Sequence, residues 1–390
     1  MTAAKDILYI GVNDHTLDLF EGQYPVPKGM AYNSYVILDE RVAVLDTVDQ
    51  HFQDQWLTNL ETALAGRKPD YLIVQHMEPD HSAAVAAFVS RYPEATIAAS
   101  AKAFPMLEHY YGDICGENRL VLGDRDTLDL GTHQLCFLTA PMVHWPEVLV
   151  TYDAYAKTLF SADAFGKFGA LDQEEPWTEE ARRYYFGIVG KYGAQVLTLF
   201  KKLSGMEIET ICPLHGPVLR EEIPSVLELY QTWASYRAET PGVLIACASV
   251  YGHTMEAAEQ LAQALREQGG LRVTLLDLTR CDMSQAVAEA FRYDRLVLAS
   301  VTYNADVFPC MKAFLHHLAE RNYQGRRVGL MENGSWAPMA AKCMVQLLSG
   351  CKNLTFTETT VRIQSALGDD SMEQLMTLAR ELGQAETNPA

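Results

Sequence analysis

The chain is short of positive charge. Lys and Arg number 31 against 50 Asp and Glu, a formal net charge of −19 across 390 residues. Nucleic acid and anionic membrane surfaces are recognised through a basic footprint, so this balance argues against both as partners. Apolar runs of about 18 residues are also missing, so no membrane span is expected. The opening stretch, "MTAAKDILYIGVNDHTLDLF", has no basic segment followed by an apolar one, and no secretory leader is expected. The eight cysteines (Cys115, Cys136, Cys212, Cys247, Cys281, Cys310, Cys343 and Cys351) include no C-x-x-C pair. That scatter disfavours a zinc ribbon and a disulfide scaffold, and points to reduced, mostly buried thiols in a cytoplasmic protein. Internal repeats and low-complexity tracts are absent too.

What is present is an ordinary globular composition, 48% hydrophobic and 21% charged, on a chain long enough for two or three domains. A helical stretch, "SVLELYQTWASYRAE", runs into Pro241-Gly242 and then into a fresh apolar strand, "VLIACAS". The Pro-Gly pair predicts a boundary near residue 241, dividing the chain into 1–241 and 242–390. Downstream, the strands "VLIACAS", "RVTLLDL", "RLVLASV", "RVGLME" and "TFTETTV" alternate with helical segments. One of these places Ala258, Leu261 and Leu265 on a single face. Such alternation predicts an α/β doubly wound parallel sheet. Upstream, stretches such as "YNSYVILDERVAVLDTVD", "YLIVQH", "TIAAS", "HQLCFLTA" and "VLVTYDAYAKTLFSAD" have fewer helices between them. That pattern predicts an α+β arrangement of packed sheets.

The densest chemistry lies in "IVQHMEPDHSA", where His76, Glu78, Asp80 and His81 crowd the end of an apolar strand. Each is an ordinary loop residue when taken alone. Three further candidates stand where a strand runs into a loop: His144 in "APMVHWPE", Asp163 in "TLFSADAFG" and His215 in "ICPLHGPV". Strand ends converge on one edge of a sheet, so side chains placed this way can meet.

A second constellation lies downstream. "ASVYGHTME" passes from strand to loop to helix and offers Ser249, Val250, Tyr251, Gly252, His253 and Thr254. Free N–H groups at the helix start favour an anion there. The chain has no G-K-[ST], and this loop has no Lys or Arg, which argues against a nucleoside triphosphate. A phosphate held by amides and hydroxyls fits FMN. "SVTYNADVFP" adds Val301, Thr302, Tyr303, Asn304, Ala305 and Asp306; "LMENGSWAPM" adds Asn333, Gly334, Ser335, Trp336, Ala337 and Pro338. Both loops follow strand C-terminal ends, where ligands of open α/β sheets bind. Tyr303 and Trp336 can face an isoalloxazine ring there, with Asn304 and Asn333-Gly334 at its polar edge; alternatively the two aromatics belong to the core.

The spacing H-x-E-x-D-H followed by H, D and H resembles the flavodiiron version of the metallo-β-lactamase fold, and the downstream loops resemble those of flavodoxins. Hydrolases of the first fold usually show H-x-H-x-D-H; here Glu78 stands for the middle histidine. A carboxylate oxygen there suits iron better than zinc. The resemblance covers almost the whole chain and implies a metallo-β-lactamase-like α+β sandwich followed by a flavodoxin-like α/β sheet. It implies a non-haem diiron centre, with His76, Glu78, His144 and Asp163 on one iron and Asp80, His81, His215 and Asp163 on the other. In the family the position of His81 either binds iron or stands aside. The resemblance implies FMN as the second cofactor, and reduction of O2 to water or NO to N2O. It also implies a homodimer or dimer of dimers, in which the FMN of one chain faces the irons of its partner. Because the sequence stops at Ala390, the expected electron source is a separate soluble donor such as rubredoxin or reduced deazaflavin. Some relatives have a histidine near the irons where "DLFEG" has Glu21. Two rival readings remain: a metal-dependent hydrolase, which leaves the second half without a role, and an electron-transfer flavoprotein with structural metals.

Overall fold

The β-branched run "YVILDERVAVL" folds back on itself, and Tyr35–Leu38 pairs antiparallel with Val42–Leu45. This hairpin sits in the middle of a seven-stranded sheet in a computed structural model that describes residues 2–4 and 6–384. On one side of it lie Ile7–Tyr9 and Thr2–Ala4. On the other lie Tyr71–Val74, Thr96–Ser100 and Arg119–Leu122, all parallel to Val42–Leu45. Helices carry the chain between these parallel strands, as parallel pairing requires. A second sheet follows, with Thr127–Asp129, Gln134–Thr139, Leu149–Asp153, Thr158–Phe160 and Thr210–Cys212 adjacent in that order.

The two sheets form a sandwich. Ile7, Tyr35, Ile37, Leu45, Ile73 and Ala98 from the first sheet share one buried cluster with Leu135, Phe137, Leu149 and Phe160 from the second. The alternation Tyr35/Ile37 places one face of that strand in the core, as a period of two dictates. The Tyr35 and Phe160 rings meet edge-on with centroids 5.5 Å apart. Helix Gln53–Leu64 buries Trp56, Leu60 and Leu64, and Trp56 donates to Ser34 Oγ at 2.9 Å.

By Cα packing the chain divides into two compact units, Met1–Gln231 and Thr232–Ala390. The second holds five parallel strands in the spatial order Arg272–Asp277, Thr240–Ala248, Tyr293–Tyr303, Arg327–Asn333 and Thr355–Ile363. The first strand in sequence therefore lies between the second and third, which makes a topological switch point beside it. Helices His253–Gln268 and Asp369–Gly383 cover one face, packing Leu261, Leu265, Leu375 and Leu378 against Val243, Ile245 and Val297. The three central strands, Thr240–Ala248, Tyr293–Tyr303 and Arg327–Asn333, are buried on both faces and read as near-continuous apolar runs, whereas the two edge strands are partly exposed. Among the described residues no helix is long and apolar enough to cross a membrane.

Candidate metal centre and ligand cleft

In the first unit, strand 71–74 ends and the chain turns into the short helix Pro79–Ser82. His76 and Glu78 come from the turn; Asp80 and His81 come from the helix. His144 lies in the connection between Gln134–Thr139 and Leu149–Asp153, Asp163 follows Thr158–Phe160, and His215 follows Thr210–Cys212. All seven side chains meet. His76 Nε2 is 3.2 Å from Asp163 Oδ2 and 3.3 Å from Glu78 Oε2, and His144 Nε2 is 3.0 Å from both oxygens. Beside this group, the Nε2 atoms of His81 and His215 stand 3.0 Å apart. Asp80 Oδ2 lies 3.2 and 3.3 Å from those two nitrogens, and Asp163 Oδ1 lies 3.5 and 3.8 Å from them. Asp163 thus turns one oxygen to each group.

These residues fit a pair of cations. Among the described residues, both carboxylate oxygens of Asp80 and Oδ1 of Asp163 are buried without a hydrogen-bond partner. A buried carboxylate without a donor is costly, and a cation removes that cost. His76 Nδ1 lies 2.9 Å from Glu147 Oε1, and His215 Nδ1 donates to the Ala31 carbonyl at 2.7 Å. Each contact places the ring proton on Nδ1 and leaves the Nε2 lone pair facing inward, as a ligand requires. Burial raises the Asp163 carboxyl, but the imidazoles of His76 and His144 outweigh it and hold the group well below its usual range. Burial pushes His81 down to about 4, so its imidazole is neutral at physiological pH.

Several residues that hold this arrangement carry no signature in the sequence. Asp46, fully buried, accepts the Gln75 N–H at 2.7 Å and the Gln75 side-chain amide at 2.8 Å, fixing the entry to the ligand loop. Thr47 donates to the His81 carbonyl from both N–H and Oγ1 at 2.8 Å. The Asn33 amide holds the His215 turn through Pro213 and Gly216 carbonyls, each at 2.8 Å. Asp46, Met142 and Ala162 adopt positive φ of 54°, 65° and 51°, so left-handed backbone recurs beside the ligands. Glu147 closes "APMVHWPE", three residues after His144, where the sequence shows it only as an ordinary loop carboxylate. Glu21, also at positive φ (48°), sits against Glu78; burial and that neighbouring carboxylate push it up to about 7.

In the second unit, the loops after the first, third and fourth strands border a cleft of about 530 Å³ beside the switch point. Ser249, Val250, Tyr251, His253, Thr254, Val301, Thr302, Tyr303, Asn304, Ala305, Asn333, Gly334, Ser335, Trp336 and Ala337 line it. Gly252 and Pro338 belong to the loops, and Asp306 to the short strand Asp306–Val307, without lining the cleft. Gly252, at φ 97°, precedes the first residue of helix His253–Gln268, and Asp306 pairs with Lys312 at 2.7 Å. Tyr303 and Trp336 are 46% and 83% exposed, so neither is a core aromatic. Ser365, after the last strand, also lines the cleft, a position that no motif in the sequence marks. Among the described residues no Lys or Arg does so.

Comparison with known proteins agrees with both halves. A family model described as "ODP family beta lactamase" matches residues 30–216. The anaerobic nitric oxide reductase flavorubredoxin of Aliivibrio fischeri is 28% identical over 394 aligned residues, covering 97% of this chain and 77% of that protein. The structure of rubredoxin oxygen:oxidoreductase from Desulfovibrio gigas superposes with a TM-score of 0.91 at 26% identity, covering 98% of this chain and 97% of that one. The flavodiiron protein of Giardia intestinalis gives 0.88 at 25% identity, covering 97% and 94%. Along nearly its whole length, sandwich and parallel sheet together, this chain is similar in sequence and in fold to proteins named as nitric oxide reductase flavorubredoxin, rubredoxin oxygen:oxidoreductase and flavodiiron protein.

Proposed function

We propose that this protein is an oxidoreductase that passes electrons from a soluble donor, through FMN, to a non-haem diiron centre that reduces O2 to water or NO to N2O. Residues 1–241 hold the irons and residues 242–390 hold the FMN. His76, Glu78, His144 and Asp163 hold one iron; Asp80, His81, His215 and Asp163 hold the other. The donor is a rubredoxin-like protein or a reduced deazaflavin, and the working form is a cytoplasmic homodimer or dimer of dimers. The observation that carries the reading is Asp163, whose Oδ2 faces His144 at 3.0 Å while Oδ1 faces His81 at 3.5 Å. A hydrolytic zinc site of this fold needs no second carboxylate at position 78, whereas two oxygen-rich sites suit iron.

When bound, the flavin and the irons supply electron storage and a pair of adjacent metal positions for a diatomic gas. The chain's own residues prepare that chemistry. Glu147 and the Ala31 carbonyl orient His76 and His215, so both imidazoles arrive in the correct tautomer. Phe20, Tyr32 and Tyr184 stand edge-on to His215 with ring centroids 5.4, 6.1 and 5.5 Å away, which shelters that side from water. Ser249 Oγ accepts the Gly252 N–H at 3.2 Å and shapes the loop at the helix start, where amides favour the FMN phosphate.

The test is elemental analysis and a flavin spectrum on protein made with iron in excess, followed by gas consumption with one artificial reductant. The expected result is about two irons per chain, bound FMN, and turnover of O2, NO or both. Zinc at both positions with no gas consumption would overturn the proposal.

A further inference from the structure

Asn333 ends the Arg327–Asn333 strand on the cleft wall, yet it is only 7% exposed. Its amide is engaged internally. Nδ2 donates to Thr254 Oγ1 at 3.2 Å and to the Ser365 carbonyl at 3.1 Å, while Oδ1 accepts the Ser365 N–H at 3.1 Å. One side chain therefore ties the loop at the helix start to the turn after the last strand. Ser365 is held at φ 71°, a left-handed conformation that L-residues seldom adopt. Its Oγ stands 2.6 Å from Ser335 Oγ, and both residues line the cleft.

The cleft hydroxyls share a pattern. Ser249 Oγ accepts from Gly252 N, Thr254 Oγ1 accepts from Asn333, and Thr302 Oγ1 accepts from Met339 N and Ala340 N. A hydroxyl whose lone pairs are taken by protein N–H groups keeps its own O–H to donate. In the Ser335–Ser365 pair one O–H serves the mutual contact and the other remains. Among the described residues the cleft thus displays hydroxyl donors and no Lys or Arg, which suits a ligand rich in acceptors.

We infer that the turn carrying Ser365 is a fourth wall of the flavin site. The Ser365 hydroxyl, supported by Ser335, donates to FMN, and Asn333 is a positioning residue that holds this wall. The inference rests on the reading of the cleft as the FMN site. The experiment strips FMN from the full chain by dialysis, restores it by titration, and follows flavin fluorescence, with the melting temperature of the FMN-free protein measured in parallel. Ser365→Gly is expected to raise the FMN Kd by roughly five-fold or more. Its FMN-free melting temperature should hold or rise, because glycine adopts positive φ readily. Asn333→Ala should raise Kd by roughly ten-fold or more, and Asn333→Asp, which keeps the acceptor for the Ser365 N–H, should fall between. An unchanged Kd for Ser365→Gly overturns the inference, and so does a weakened Kd accompanied by a clear fall in FMN-free stability. Should Asn333→Ala not fold, Ser365→Gly decides alone. If the unaltered folded chain takes up no FMN, the reading of the cleft falls, and this inference with it.

Discussion

His144 Nε2 stands 3.0 Å from Asp163 Oδ2, while the other oxygen of the same carboxylate looks toward His215 at 3.8 Å. His144 and Asp163 come from separate strand ends of one sheet, joined through antiparallel pairing of Leu149–Asp153 with Thr158–Phe160. One carboxylate serving two groups of ligands makes the two positions interdependent.

Loss of metal should therefore be asymmetric. Asp163→Ala removes a ligand oxygen from both groups and should leave well under one iron per chain. His144→Ala touches only the first group and should retain iron in the second. Elemental analysis after gel filtration reads the difference directly, and equal losses from the two variants would contradict the shared carboxylate.

Glu147 should matter without touching a metal. It orients His76 through Nδ1 and also accepts the Met77 N–H at 2.9 Å. Glu147→Ala frees the imidazole to rotate or change tautomer, and metal affinity should fall about 10- to 100-fold. Competition with a chelator of known affinity measures the change. Glu147→Gln, which keeps an acceptor oxygen, should lose less.

Stability should decline at alkaline pH through His133, a buried residue away from the ligand groups. Its Nδ1 lies 2.6 Å from Asp153 Oδ2, and Asp39 accepts its backbone N–H. Burial lowers its pKa, but Asp153 outweighs this, with help from Asp39 and Asp6, and the net shift is upward. A raised folded pKa means the stabilisation is fully present below the unfolded value of about 6.5 and is lost as pH rises through the folded value. Urea midpoints should fall between pH 6 and pH 9 in the unaltered chain. His133→Asn should be less stable by roughly 1–3 kcal/mol at pH 6 and should show a flatter profile.

Electron transfer between chains is testable by complementation. His144→Ala should empty the first iron position and so disable the two-iron centre. Gly252→Asp should spoil flavin binding, through like charge near the phosphate position and through strain at φ 97°. Each variant alone should be inactive. Random re-formation of a symmetric dimer makes half the dimers hybrids, each with one working pair, so activity should recover to about a quarter of the unaltered level. No recovery, with hybrids shown to form and intact sites shown to stay loaded, would rule out transfer between chains.

Read by itself, the sequence determined the kinds of side chain available and where along the chain they fall. His76, Glu78, Asp80, His81, His144, Asp163 and His215 stand out because polar, ligating residues interrupt apolar strands at their ends, a local pattern. The central strands of the second unit's parallel sheet were legible for a similar reason, since doubly buried strands are near-continuous apolar runs. Tertiary structure alone decided which Asp163 oxygen faces which group. It also decided that Asp46, Thr47, Asn33 and Glu147 hold the ligand loops, and that Ser365 joins the cleft. Their contacts span separations such as 71 residues for Glu147 with His76 and 183 for Asn33 with Gly216. No periodicity encodes a hydrogen bond of that range. Such bonds form only after burial of the apolar faces has brought the strand ends together, and their geometry is then set by packing rather than by neighbours in sequence.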